Sequence, residues 1–148
     1  MTATNDAYKL TWLVRRVFRA IAERTDDYLG DAGLTTADRV VLEFLYPDTR
    51  LTVPEIARRY QVSRQHVQVT VNRLLDQGLL ESSANPRHKR SVLIALTEPG
   101  RATFAEILDS ETGLVDDLFS DIEIADIATT RRTLETLLNK LAKENRHA

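Results

Sequence analysis

Between Thr52 and Leu96 the chain changes its apolar period within one short stretch, and few folds accommodate that change. Thr52 followed three positions later by Glu55 is the pattern of a helix capping box. Pro54 falls in the first turn, where its missing N–H does no harm. The helix so opened carries Ile56, Ala57 and Tyr60 toward a core. Gln61 to Ser63 then break it, and Ser63 is a fresh N-cap. Val67, Val71, Leu74 and Leu75 recur at helical spacing until Gly78, a residue suited to end a helix. Two short helices joined by so tight a break form a helix-turn-helix. Past Gly78 the period shortens. Residues 79–83 read as a strand, Asn85 to Arg90 as a basic-ended turn, and Ser91 to Leu96 as a second strand with Val92, Ile94 and Leu96 on one face. A hairpin directly behind a helix-turn-helix is a wing. The expected fold class is therefore mainly α (α+β), a winged helix-turn-helix, and the expected partner is double-stranded DNA.

The flanks are helical. Tyr8 to about Tyr28 is one amphipathic helix with Leu10, Leu13, Val14, Val17, Phe18, Ile21 and Tyr28 on its apolar side. Gly30 and Gly33 punctuate its end. Thr35 is another N-cap, with Asp38 at its third position, and Val40, Val41, Phe44 and Leu45 form the next buried face up to Pro47-Asp48. Thr97 caps a further helix with Phe104, Leu108, Val115 and Leu118 on one side, and Gly113 is placed to bend or interrupt it. A last helix, about Ile124 to Lys143, carries Ile127, Leu134, Leu137, Leu138 and Leu141. A small winged core cannot cover all these apolar rows, so a second copy of the chain is expected against them. The organisation expected is a dimerisation helix over 1–34, a DNA-binding winged domain over 35–100 and dimerisation helices over 101–148. Two-fold proteins of this kind set their two recognition helices about 34–36 Å apart, one turn of duplex.

Composition narrows the function classes. The 148 residues suit one domain or one compact subunit, and 43% hydrophobic content is too high for a disordered chain. No apolar run approaches the length of a membrane span, and the first residues lack the basic-then-apolar order of a signal peptide. Cysteine is absent, which excludes disulfides, cysteine-ligated zinc and thiol redox sensing. The cytoplasm is the expected compartment, with no membrane partner. Net charge is −2, but Arg50 to Arg101 holds nine basic and four acidic residues, so that segment stands at +5 and the rest at −7. Basic charge concentrated in the middle is an electrostatic footprint for nucleic acid. The three histidines, His66, His88 and His147, fall on the second helix, the turn and the terminus. No Gly-rich phosphate loop, zinc spacing or nucleophile elbow is present, so neither catalytic residues, a metal nor a cofactor is expected.

The recognition helix is Ser63 to Gln77. Its buried side is Val67, Val71 and Leu74, which leaves Arg64, Gln65, Gln68, Val69, Asn72 and Arg73 facing outward and His66 at the edge. Glutamine pairs bidentately with adenine and arginine with guanine, so Gln65, His66, Gln68 and Val69 are the expected base readers. Arg64 and Arg73 are expected on phosphate, with Ser63 able to donate there beyond its capping role. Arg87, His88, Lys89 and Arg90 form the wing tip, with Arg90 placed to brace the wing by hydrogen bonds. The same fold also serves as a protein-interaction module without DNA, which the basic wing argues against.

Gly33-Leu34-Thr35, the run Leu74 to Leu80 (LLDQGLL), the wing Asn85 to Arg90 (NPRHKR) and Leu96 to Arg101 (LTEPGR) stand in the order and spacing of one group of proteins. Over nearly its whole length the chain resembles the MarR family of bacterial transcription regulators. The resemblance implies a homodimer held by its N- and C-terminal helices. It also implies a pseudo-palindromic operator, usually bound as a repressor that a small ligand releases, and it points to Arg87 as the residue entering the minor groove. Two positions depart from the family pattern. Asn85 and His88 stand where the wing often has acids, and Val69 stands where the recognition helix often has arginine. In this family effectors often lie between the dimerisation helices and the winged domain. There Trp12, Arg15 and Arg16 offer stacking and anion pairing for an aromatic or anionic effector, unless Trp12 is interface packing.

Overall fold

The computed structural model describes residues 3–144. His147 lies outside the described residues. The elements are α1 (Ala3–Asp31), α2 (Thr36–Leu45), α3 (Val53–Tyr60), α4 (Arg64–Asp76), β1 (Leu80–Ala84), β2 (Val92–Leu96), α5 (Glu98–Phe119) and α6 (Ile124–Glu144). This is a winged helix-turn-helix between helical flanks. The chain divides into two compact units, Met1–Glu111 and Thr112–Ala148.

Local chemistry accounts for most of the boundaries in the first unit. Thr35 and Thr52 both close complete capping boxes, with Asp38 and Glu55 returning the bond to the cap N–H. Glu55 accepts from the Thr52 N–H at 2.8 Å, and that bond holds its carboxyl below the ordinary range. Helix α4 ends at Gly78, whose φ of 73° is left-handed. The Gly78 and Leu79 N–H groups return to the carbonyls of Leu75 and Leu74, each at 3.0 Å, the double bond of a Schellman terminus.

The core gathers Val41, Leu42, Leu45, Ile56, Val67, Val71, Leu74, Ile94, Leu96 and Phe104. Three of its members lie off the expected faces. Leu29 is the buried residue of α1, because the Leu34 N–H reaches back to its carbonyl at 2.8 Å and folds the turn over it. Leu42 and Ile107 are buried as well, whereas Val40 is only half-buried. Further toward the N-terminus the stripe of α1 is largely uncovered, with Phe18 75% exposed.

The wing pairs Leu80 with Leu96 through to Ala84 with Val92 in antiparallel register. A third segment joins it. Leu51 exchanges both backbone bonds with Ile94, at 3.1 and 2.7 Å, so the approach to α3 is tied to the hairpin. Ala95 is buried on β2, while Val92 is half exposed, against the expected alternation. One junction anchors the wing's base. The Thr97 hydroxyl donates to the Gly78 carbonyl at 2.7 Å and accepts from the Gly100 N–H at 3.1 Å, and the Thr97 N–H donates to the Leu79 carbonyl at 3.1 Å. Gly100 is obligatory there, since a Cβ would fall on the Leu79 carbonyl oxygen.

Polar side chains join α1, α2 and α5. Glu111 accepts from Arg39 through two nitrogens and from the Tyr28 hydroxyl at 3.0 Å. The Arg39 guanidinium also donates to Glu43 and sits 5.8 Å from the Phe104 ring centre. The Arg39 bond holds the Glu111 carboxyl below its ordinary range, against a smaller opposing effect of burial. Burial, with Glu111 nearby, pushes the Tyr28 phenol up.

In the second unit α5 runs to Phe119 without the interruption that was one expectation for Gly113, and α6 follows. Val115, Leu118, Ile124, Leu138 and Leu141 are all exposed. A groove of about 510 Å³ runs between Phe119, Ile122, Ile127, Leu134 and Leu138. Among the described residues no helix is long and apolar enough to cross a membrane.

Gly100→Ala should lower unfolding free energy by about 1–3 kcal/mol or more, because backbone must move to admit the methyl. Urea unfolding checks this, and an unchanged midpoint would contradict the close approach. Glu111 gives a pH signature. Its folded value is depressed, so its contribution is full above the ordinary 4.5 and is lost as pH falls through the folded value. The stability margin of the wild type over Glu111→Gln should therefore be constant near neutrality and shrink below about pH 4.5.

Candidate nucleic-acid interface

The turn before the recognition helix is made by Gln61, held left-handed at φ 59°, and by Val62, whose N–H returns to the Ala57 carbonyl at 3.2 Å. Ser63 caps α4, its hydroxyl accepting from the His66 N–H at 3.1 Å. Val67, Thr70, Val71 and Leu74 bury one side of the helix. That side fixes what the other presents. Arg64, Gln65, Gln68, Val69 and Asn72 are all exposed. Gln68 Nε2 donates to Asn72 Oδ1 at 2.8 Å. His66 sits at the edge, its ring 6.2 Å from that of Tyr60, so α3 partly backs it.

Arg73 is exposed as well, but its guanidinium is already engaged. Its guanidinium donates to the fully buried Asp38 and, at 3.2 Å, to the Thr35 hydroxyl. The guanidinium expected on phosphate is thus paired with the N-terminal turn of α2, while its side chain stays 44% exposed. Asp38 has no exposed surface, so its carboxylate must find its partners within the protein.

The wing tip is shaped by Asn85. Its Oδ1 accepts from the Arg87 N–H at 3.0 Å, and its Nδ2 donates to the Ser91 hydroxyl at 3.2 Å. An aspartate could make both, accepting from the Ser91 hydroxyl in the second, but would bring a negative charge to the tip. The asparagine so closes the turn without adding negative charge. Arg87, His88, Lys89 and Arg90 are exposed, and among the described residues none of them forms an ion pair. Arg90 was expected to brace the wing by hydrogen bonds. Instead it lines a cleft of about 350 Å³ with Arg64, Gln65, Gln68 and Val92. That cleft joins the start of α4 to the tip end of the wing, and it explains why Val92 is uncovered. A second cleft of about 240 Å³ sets Arg50 beside Arg87, Asn85 and Glu55. Sequence reasoning counted Arg50 only as charge. Its position just before Leu51, the residue that pairs with the wing, was the missed signal.

The expected effector residues are on α1. Trp12 is 54% exposed and shares a shallow groove of about 320 Å³ with Arg16, Tyr8, Lys9 and Leu13. Arg15 is exposed but outside that groove.

The family model that matches is that of the MarR family, over residues 32–91. An uncharacterized protein of Mycobacterium tuberculosis is 34% identical over 139 residues, covering 94% of this chain and 92% of that one. Among solved structures, a MarR family transcription regulator superposes with a TM-score of 0.90 at 23% identity, over 98% of this chain and 96% of the other. A mutant of the E. coli protein MarR, solved with operator DNA, gives 0.75 at 24% identity, over 93% and 99%.

The two arginines of α4 should separate in a stability experiment. Arg73→Ala leaves a buried carboxylate without its cation and should cost about 1–3 kcal/mol. Arg64→Ala, at an exposed position, should stay within about 0.5 kcal/mol. Equal effects in denaturant unfolding would mean that Arg73 is not the internal partner of Asp38.

Proposed function

The chain belongs to the MarR family of transcription regulators, and from that premise we propose that it acts in the cytoplasm as a homodimeric repressor of a pseudo-palindromic operator, released by a small aromatic or anionic ligand. One observation carries the DNA-binding part. The outward stripe of α4 lies beside a wing whose basic side chains have no protein partner, with Arg64 and Arg90 sharing the cleft between them. In this arrangement Gln65, Gln68, Val69 and Asn72 meet base edges, with His66 at the margin. Ser63, Arg64, Lys89 and Arg90 follow the phosphates, and Arg87 enters the minor groove with His88 beside it. Phosphate contacts set position, and base edges set sequence. A protein of the same fold, the E. coli MarR mutant, has been solved with operator DNA, which supports the DNA-binding part of this reading.

The homodimer is supported by apolar surface. Trp12, Val17 and Phe18 on α1, and Leu138 and Leu141 on α6, are exposed in one chain. Apolar rows of that extent are ordinarily covered by a partner, and a second copy is the partner always present. For release, Trp12 and Arg16 offer a ring face and a cation in one groove.

The test is a gel shift on genomic fragments with salt and nonspecific competitor. A sequence-selective shift supports the reading, and no binding even at low salt would favour a protein-binding module instead. Arg87→Ala should weaken operator binding and reduce the slope of log affinity against log salt by about one, the share of one phosphate-region cation. An unchanged slope removes Arg87 from the groove.

A further inference from the structure

The outer stripe of α4 is uncharged, and its chemistry selects among base pairs. Gln65, Gln68, Val69 and Asn72 stand at i, i+3, i+4 and i+7, the pattern of a single helix face. Guanine is most often read in the major groove by an arginine or lysine fork. The two guanidiniums of α4 stand at the margins of the stripe. Arg64 shares the cleft of Arg90 with Gln65 and Gln68, and Arg73 donates to Asp38. What remains is amide groups and one isopropyl group.

We propose that each half-site is read as an adenine next to a thymine, with Gln68, held by Asn72, taking the adenine and Val69 taking the thymine 5-methyl. This rests on the DNA-binding function proposed above and adds the sequence that the helix selects.

Adenine offers the N7 acceptor and an N6 hydrogen, so its partner must present a donor and an acceptor together. A free glutamine amide turns either way. Here one Nε2 hydrogen is committed to Asn72 Oδ1 at 2.8 Å, which fixes the donor end and leaves the second hydrogen and Oε1 for the base. Asn72 is thus a positioning residue for Gln68. Val69 is 63% exposed in the middle of this polar face. Its branched side chain has one strongly preferred rotamer in a helix, so its methyls stand at a set place. In the major groove, thymine is the base that presents a methyl group. An exposed valine there gains by covering that group and gains nothing from a cytosine or guanine edge.

The experiment uses the full chain. Preferred duplexes are selected from a random library, and each thymine of the selected site is then replaced singly by uracil and each adenine by 7-deazaadenine. Wild type should lose about fourfold in affinity on uracil at one thymine per half-site, the worth of one buried methyl. It should lose about tenfold on 7-deazaadenine at a neighbouring adenine. Val69→Ala should bind thymine and uracil sites equally and keep the adenine effect. Gln68→Ala should do the reverse, and Asn72→Ala should reduce the adenine effect while leaving the methyl effect. Alanine at these exposed helical positions keeps the fold, which an unchanged melting temperature verifies. A wild type indifferent to uracil throughout the half-site would overturn the proposal, as would a uracil penalty that survives Val69→Ala. A selection that enriches no sequence is a different result, and it would overturn DNA reading itself.

Discussion

A carboxylate with no exposed surface must be satisfied by the protein, and the placement of the recognition helix depends on how Asp38 is satisfied. One of its oxygens accepts from the Thr35 N–H at 2.8 Å and so starts α2. The other receives Arg73, from the far half of α4. Apolar packing of Val67, Val71 and Leu74 holds α4 against the core, but such packing tolerates small slides and rotations. An ion pair from a buried anchor does not. Asp38 is fully buried and Arg73 is partly exposed, and desolvation of the carboxylate offsets much of their attraction. What the pair supplies is a fixed rotation of the helix about its axis. The Thr97 junction does the corresponding work for the hairpin, by joining the end of α4, the start of β1 and the start of α5.

The arginines sort into two groups by that logic. Arg39, Arg73 and Arg101 are engaged internally, with Glu111, Asp38 and Glu98 respectively. Arg64, Arg87 and Arg90 form no ion pair among the described residues, and they border the stripe or the wing tip. A count of charge along the sequence merges the two groups. The field that a polyanion would meet comes from the second.

What was legible in the sequence follows the range of the interactions. Caps at Thr35, Thr52, Ser63 and Thr97 could be read because a cap and its partner lie within three residues. The outward face of α4 could be read because a helix repeats. Leu29 and Ile107 could not, since their burial depends on which elements close over them. The Leu51 bridge is one residue long and has no period to detect. Arg73 looked like its exposed neighbours because its partner lies 35 residues away. The signal that existed was an acid at the third position of α2, a site where capping alone would have explained it. Val92 obeyed strand alternation in direction and escaped burial because a cleft, not a core, lies on that side.

Among the described residues, the side chains of the outer stripe of α4 support no other part of the fold. Gln65, Gln68, Val69 and Asn72 contribute no core volume, no cap and no ion pair, while the residues that hold the helix lie on its other side. Substitutions in the stripe are therefore nearly free of folding consequences. A chain built this way can drift from one target sequence to another through single steps, each intermediate remaining folded. Related proteins sharing this scaffold can thus diverge in what they recognise much faster than in how they fold. Similarity of architecture is then a poor guide to shared targets.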